Sequence, residues 1–279
     1  MSIKLYKPTT PARRHMSSMV TDVSKKLRQN KNLRYRRMKT GGRNNQVKIT
    51  VRHIGGGNKQ FVRMVDFQQL RYDVPAKILQ FEYDPIRNAK LALIRYQGGV
   101  DSYILAAEKM KVNDQVITSR TKFSLGVGNR FPLELIPTGQ MVYNIEIEPG
   151  RGGKMVRGAG TGATLMVVEG KYATLRLPSG EVRKVVKECL ASLGQVSNQE
   201  YRNIRWSKAG RVRHLGIKPT VRGKAMNPVD HPHGGGEAKN SIGLVHPKTP
   251  WGKPALGVKT RNTKKFSTKL IIQRRSKRK

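Results

Sequence analysis

The chain has 279 residues, with 56 Lys and Arg against 17 Asp and Glu, a formal net charge of +39 and a sequence pI of about 11.0. That excess repels itself in a lone compact monomer and attracts polyanions. Its single cysteine excludes an intrachain disulfide and fits a reducing compartment, and no apolar run approaches the ~20 residues of a membrane-spanning helix.

The charge is unevenly placed. Residues 60–200 carry 19 basic and 14 acidic side chains, whereas the rest of the chain carries 37 and 3. A nearly neutral middle is thus flanked by two basic arms, and from Ala238 to Lys279 there is no acid at all. Solvated surfaces usually mix both signs, so arms of this kind point to nucleic acid. An anionic membrane is disfavoured as partner, because the arms carry Gly, Pro, Asn and Thr in place of an amphipathic apolar face.

In chain order, residues 1–58 read as a basic extension with one short strand, Val47–Ile54. Residues 59–125 hold five strand-like runs, Phe61–Phe67, Ala76–Tyr83, Lys90–Tyr96, Asp101–Ala107 and Gln115–Thr118, broken by Asp84-Pro85 and Gly98-Gly99. A second set, Phe131–Ile136, Val142–Glu148, Thr164–Val168, Tyr172–Leu177 and Glu181–Val186, occupies 126–196. Val185–Leu193 is the one short helical candidate. The predicted fold is therefore mainly β, two small barrels side by side. Residues 197–279 form an irregular basic extension, too long for an ordinary loop and ordered, if at all, by a partner. Cys189 sits in an apolar-rich run as a small buried hydrophobe, and Phe81, Tyr83, Tyr96 and Tyr103 read as core.

The most informative stretch is 221–237, VRGKAMNPVDHPHGGGE. It has two histidines, two prolines and four glycines and almost nothing to bury, so its shape serves something outside itself. Asp230, His231 and His233 invite a metal site, but the remaining histidines lack ligand spacing, and no metal is expected. His231 is the only candidate for general acid/base chemistry, without an evident activating partner. Hydrogen bonding or stacking of Asn227, His231 and His233 on RNA fits the loop better.

Gly158–Ala163 matches the letters of a dinucleotide-binding turn, but β-type residues follow where a helix should open. A loop bringing amides close to phosphates, with Arg151, Lys154 and Arg157 beside it, is the alternative. Arg52, His53, Gly55, Gly56, Gly57 and Lys59 also set glycines between cations, either as a tight turn or for close approach to a sugar-phosphate chain. Tyr35, Trp206 and Trp251 lie among cations, where bases could stack on them.

Read together, several segments resemble the bacterial-type large-subunit ribosomal protein L-two family. They are Tyr6–Pro11 with Arg13-Arg14, Gly41-Gly42-Arg43-Asn44, Arg52–Gly57, Tyr83-Asp84-Pro85 and Pro149-Gly150 with Gly152-Gly153. Leu175–Leu177 with Ser179–Glu181, Lys208–Gly210, Pro219–Gly223, the 221–237 loop and Pro250-Trp251-Gly252 complete the set. The resemblance spans nearly the whole chain. It implies an oligonucleotide-binding-type barrel followed by an SH3-like barrel, with extensions threading into ribosomal RNA (rRNA). It further implies a primary binder of large-subunit rRNA that supports subunit association, tRNA binding and peptide-bond formation. Implied partners are small-subunit rRNA across the interface, neighbouring ribosomal proteins and, indirectly, tRNA; no cofactor is implied, with magnesium bridging to phosphates left open. The family start matches at Tyr6, an expectation against a transit peptide and for bacterial cytoplasm or an organelle-encoded copy. Asn58, His214 and Ala238 depart from the family's usual His, Trp and Gly.

The residues expected on RNA are Arg13, Arg14, Gly41, Gly42, Arg43, Asn44, Arg52, His53, Gly55, Gly56, Gly57 and Lys59 in and beside the first arm, and Arg151, Lys154 and Arg157 in the middle. Arg213, Arg222, Lys224, Asn227, His231, His233, Trp251 and Lys253 are those of the second arm. Two other readings remain open on sequence: direct participation of His231 in peptidyl transfer, and non-specific compaction of nucleic acid by charge alone.

Overall fold

Short runs of β-branched and aromatic residues become strands where a neighbouring run can take up their backbone groups. A computed structural model describes residues 3–20, 23, 30–237 and 240–275, and Ala238 lies outside them. Two units form. One comprises Met1–Met38, Lys59–Lys208 and Phe266–Lys279, the other Lys39–Asn58 and Ala209–Lys265. Among the described residues no helix is long and apolar enough to cross a membrane.

In the first unit, β1 (Ile3–Leu5) pairs antiparallel with β2 (Ser17–Met19), with the single turn α1 (Pro11–Arg14) between them in sequence. β3 (Arg34–Arg36) pairs with β4 (Phe61–Arg63). β5 (Ala76–Asp84), β6 (Ala89–Tyr96), β7 (Asp101–Leu105) and β8 (Gln115–Val116) form an antiparallel sheet in the order β7-β6-β5-β8. Leu91, Ala92, Leu93 and Ile94 are buried in succession, so β6 is covered on both faces and loses the period-two pattern. Fully buried Ile78, Leu91, Ile94, Ile104 and Leu105 each contribute about 1.5–3 kcal/mol relative to exposure.

The second sheet is built from β9 (Arg130–Pro132), β10 (Met141–Tyr143), β11 (Ala163–Glu169), β12 (Tyr172–Arg176), β13 (Val182–Val186), β14 (Leu190–Leu193) and β15 (Ile271–Gln273). Its order is β15-β13-β12-β11-β10-β14-β9. Phe131, Leu133, Ile145, Leu165, Leu175, Val185 and Cys189 fill its core. Burial raises the Cys189 thiol pKa to about 12, so it stays an unreactive packing group. Bulges at Ile78/Gln80 and Leu165/Val167 help curl the two sheets. The chain is mainly β, in agreement with the barrel types expected. The sheets meet where Tyr143 of β10 donates its hydroxyl to Leu105 O at 3.1 Å and packs into the first core.

Two sequence expectations fail locally. Val47–Ile54 is no strand: Val47 takes φ +62°, the Asn44 carboxamide accepts from the amides of Gln46 and Lys48, and only single bridges remain. Val185–Leu193 is no helix: its ends belong to β13 and β14, with Cys189 N donating to Val186 O across the turn. Apolar residues crowd there because both strands face one core, a pattern that short windows cannot tell from a helix.

The second unit is different in kind. It has the short helix α2 (Ala209–His214) and isolated bridges Arg43–Ile49, Ile54–Ile217 and Lys248–Pro254. Among its described residues no hydrophobic side chain is buried, and His231 is the one buried polar residue. Turns, close glycine contacts and hydrogen bonds hold it together.

One buried ion pair organises the first unit. Arg130 on β9 is wholly inaccessible; its guanidinium donates to Asn144 O at 2.7 Å and to Glu146 Oε1 at 3.1 Å. Burial lowers the Arg130 pKa, and the charge of Glu146 opposes that shift. Glu146 also accepts from Gly150 N, Gly152 N and Leu190 N, each at 3.1 Å, so its carboxylate is saturated. Removing one partner of such a pair strands a buried charge. Glu146→Ala is therefore expected to destabilise the unit by about 3–5 kcal/mol in denaturant unfolding, whereas Glu148→Ala, from an exposed pair with Arg151, changes it by less than ~1 kcal/mol.

Candidate nucleic-acid interface

The loop that Glu146 ties down presents cations. Arg151 is exposed and paired with exposed Glu148 at 2.8 Å, and Lys154 is exposed. Arg157 is half-buried, its guanidinium 4.5 Å from the Phe67 ring centroid and donating to Gly153 O at 3.2 Å. Arg87 lies 4.8 Å from the same ring, held by Asp84 at 2.7 Å. Burial lowers the Arg157 pKa, and Arg87 lowers it further, so an anion here would relieve two crowded cations. Sequence reasoning missed Arg87 and Phe67; the Asp84-Pro85 turn was visible, but not its approach to residue 157.

The amides of this region face inward. Those of Gly150, Gly152, Gly153, Lys154, Ala159 and Gly160 all donate to protein oxygens, so side chains carry what the loop offers an anion. Gly158–Ala163 leads into β11 and not into a helix, which removes the dinucleotide reading. Elsewhere in the first unit, Arg13 and Arg14 end α1 exposed, with Arg13 5.1 Å from the Tyr6 ring. Lys59 lies 5.7 Å from Phe61.

In the second unit the glycines between cations serve chain-to-chain approach. A Cβ on Gly42 would meet Val51 O at 2.1 Å, and one on Gly57 would meet Gly216 at 2.8 Å. Gly55 N donates to Gly216 O, and His53 O accepts from Lys218 N, both at 2.9 Å, while Gly41 and Gly56 take positive φ. Asn44 is occupied with its own turn, leaving Arg43 and Arg52 exposed. Arg213 on α2 donates to Ile217 O. Asn58 and His214 are partners: Oδ1 and Nδ1 lie 3.1 Å apart, and Asn58 N donates to His214 O.

The 221–237 segment is a framework with histidines as struts. Arg222 precedes a short 3-10 turn, Gly223–Ala225, that carries Lys224. Asn227 O accepts from Asp230 N and His231 N, closing the next turn. His231 packs so tightly on Gly223 that a Cβ there would lie 2.6 Å from the ring. His231 Nδ1 accepts from His233 N at 3.0 Å, and His233 Nε2 accepts from Lys248 N at 2.8 Å. Those acceptor roles place the protons on His231 Nε2 and His233 Nδ1. The second bond ties the loop to a hairpin, Lys248–Pro254, whose tip carries Trp251 and Lys253. Among the described residues no group of three or more His, Cys, Asp or Glu could hold a metal ion.

Burial, with help from His233 and Arg52, holds the His231 pKa below the ordinary 6.5. A histidine depressed in the folded state stabilises it above the unfolded value, and that contribution is lost as pH falls through the folded value. Acidification from about pH 7.5 to about pH 5 is thus expected to speed intrinsic-rate-corrected amide exchange at His233 and Lys248 in the RNA-bound chain, leaving β5–β7 protected.

A family model described as Ribosomal Proteins L2, RNA binding N-terminal domain, matches residues 30–118. Another, Ribosomal Proteins L2, C-terminal domain, matches residues 126–252. Together they cover more than three quarters of the chain, including the strands of both large sheets except β15, and the 221–237 loop. The chain belongs to the ribosomal protein L2 family, whose members are structural, RNA-binding proteins of the large ribosomal subunit.

Proposed function

We propose that the chain is a primary binder of large-subunit rRNA whose folded β modules anchor it while its loops and arms order on the RNA. One observation carries this reading. The second unit has sixteen Lys and Arg against two acids, and Arg43, Arg52, Arg222, Lys224 and Lys253 make no ion pair among the described residues. Charge that the protein does not neutralise itself is neutralised by phosphates, with release of their counterions. Supporting subunit association, tRNA binding and peptide-bond formation follows from holding rRNA in place and needs no catalytic group.

His231 has a positioning role in this reading. Its Nδ1 already accepts a hydrogen bond and its Nε2 carries the proton, so the neutral ring has no free lone pair to act as a base. In ribosomes that assemble, His231→Gln is expected to slow peptide transfer far less than the ~10²–10⁴-fold loss of a general acid/base. A loss of that size would restore the catalytic alternative.

Binding to large-subunit rRNA is expected to weaken steeply with salt yet to retain preference over an unrelated structured RNA of equal length. Replacing Arg222 and Lys224 together by Gln should reduce the slope of log K against log salt by about 1.5–2. Loss of all preference at high salt would leave a polycation acting by charge alone.

A further inference from the structure

The second unit has an open cleft of about 610 Å³ walled by Arg52, Met226, Asn227, Asp230 and Trp251. Its walls are fixed by the contacts already described. Asn227 and Asp230 share one tight turn, closed by Asp230 N donating to Asn227 O at 3.0 Å. Trp251 sits at the tip of the hairpin that His233 holds through Lys248, and 74% of its surface is exposed. Arg52 and Asp230 line the same cleft, yet neither makes an ion pair or side-chain hydrogen bond among the described residues.

The unpaired carboxylate is the informative element. Asp230 is one of two acids in a unit with sixteen cations, so cationic partners were plentiful, and none of the described ones was taken. On a surface that meets a polyanion, a carboxylate adds repulsion unless it accepts hydrogen bonds from the ligand. A ring-sized aromatic wall, an acceptor with two oxygens and a nearby guanidinium together describe a nucleotide with adjacent donors on its base edge. Among the four bases, only guanine presents two neighbouring donors, N1–H and the N2 amine, to a carboxylate held in its plane. Unpaired RNA bases are commonly read in this way, stacked on an aromatic ring and bonded along the Watson–Crick edge.

We propose that this cleft takes an unpaired guanosine of the large-subunit rRNA, its base stacked on Trp251, its N1–H and N2 amine on the Asp230 carboxylate, and its phosphate on Arg52. The proposal rests on the rRNA-binding reading and narrows it to one nucleotide. A cationic side chain of a neighbouring protein would also suit Trp251 and Asp230, but Arg52 and the excess of cations in this unit oppose it.

Kethoxal, which forms its adduct across N1 and N2 of unpaired guanine, tests this on complexes of the full chain with large-subunit rRNA. The wild-type chain is expected to protect one guanine. Asp230→Asn and Trp251→Ala should each raise the reactivity of that same guanine about tenfold, the loss of one bidentate or stacking contact, while the hydroxyl-radical footprint elsewhere is unchanged. No guanine depending on both residues, or an A, C or U depending on Asp230 instead, overturns the assignment. So does a result in assembled subunits where Asp230→Asn alters only a crosslink to another protein. If Asp230→Asn loses the whole footprint, protection kept by Asp230→Glu supports the proposal and its loss refutes it, and if Trp251→Ala does so, Trp251→Phe decides in the same way. A wild-type chain without preference for rRNA over the competitor RNA would instead sink the broader functional reading.

Discussion

The buried contact between Arg130 and Glu146 is the constraint on which the first unit depends. A charge pair removed from water is tolerated only when every remaining donor and acceptor is met, and here nearly all are. Arg130 reaches Asn144 O as well as Glu146, and Glu146 gathers three backbone amides from two different segments. Through the same residue, the backbone of β9 takes the amide of Ser119 and donates to Ile117, joining the end of the first sheet to the start of the second. The guanidinium Nε and the side-chain oxygen of Asn144 are the atoms this network leaves without a hydrogen-bond partner among the described residues. The Gly150–Gly153 loop is an outgrowth of this knot, and Arg151, Lys154 and Arg157 stand on it.

The second unit solves the opposite problem. Lacking a core, it places backbone against backbone, with glycine wherever a side chain would intervene, as at Gly57 over Gly216 and Gly234 over Asn227. Its two central histidines accept hydrogen bonds from amides, a use that needs neutral rings and leaves the surrounding cations unneutralised. Stability in such a structure is local and modest.

How much of this the sequence revealed varied with the origin of each element. Runs such as Ala76–Tyr83 and Lys90–Tyr96 were legible because burial on one face or both writes itself into composition, and Tyr96 and Tyr103 are buried as expected. Val47–Ile54 misled because its β-branched residues, exposed in fact, imitate a strand but find only single bridges at Ile49 and Ile54. β15 was illegible, since Ile271–Gln273 becomes a strand only by meeting β13, nearly ninety residues earlier. The 221–237 loop announced itself by its Gly, Pro and His content, but the roles inside it did not. Nothing in the letters tells that His233 holds Lys248, that Asp230 shares a cleft with Trp251, or that Asn58 and His214 are partners, because each depends on a contact distant in the chain.

The second unit is also discontinuous: His53, Gly55 and Asn58 find their backbone partners at His214, Gly216 and Lys218. During synthesis the earlier segment must wait for about 160 further residues, on the order of ten to thirty seconds at ordinary elongation rates. For that interval a glycine-rich, cationic segment is exposed without its later partners, inside a cell crowded with RNA. Apart from the edge strand β15, both large sheets lie between the two halves and are made before the later one. The order of translation thus delays completion of the second unit until all of both large sheets except that edge strand already exists.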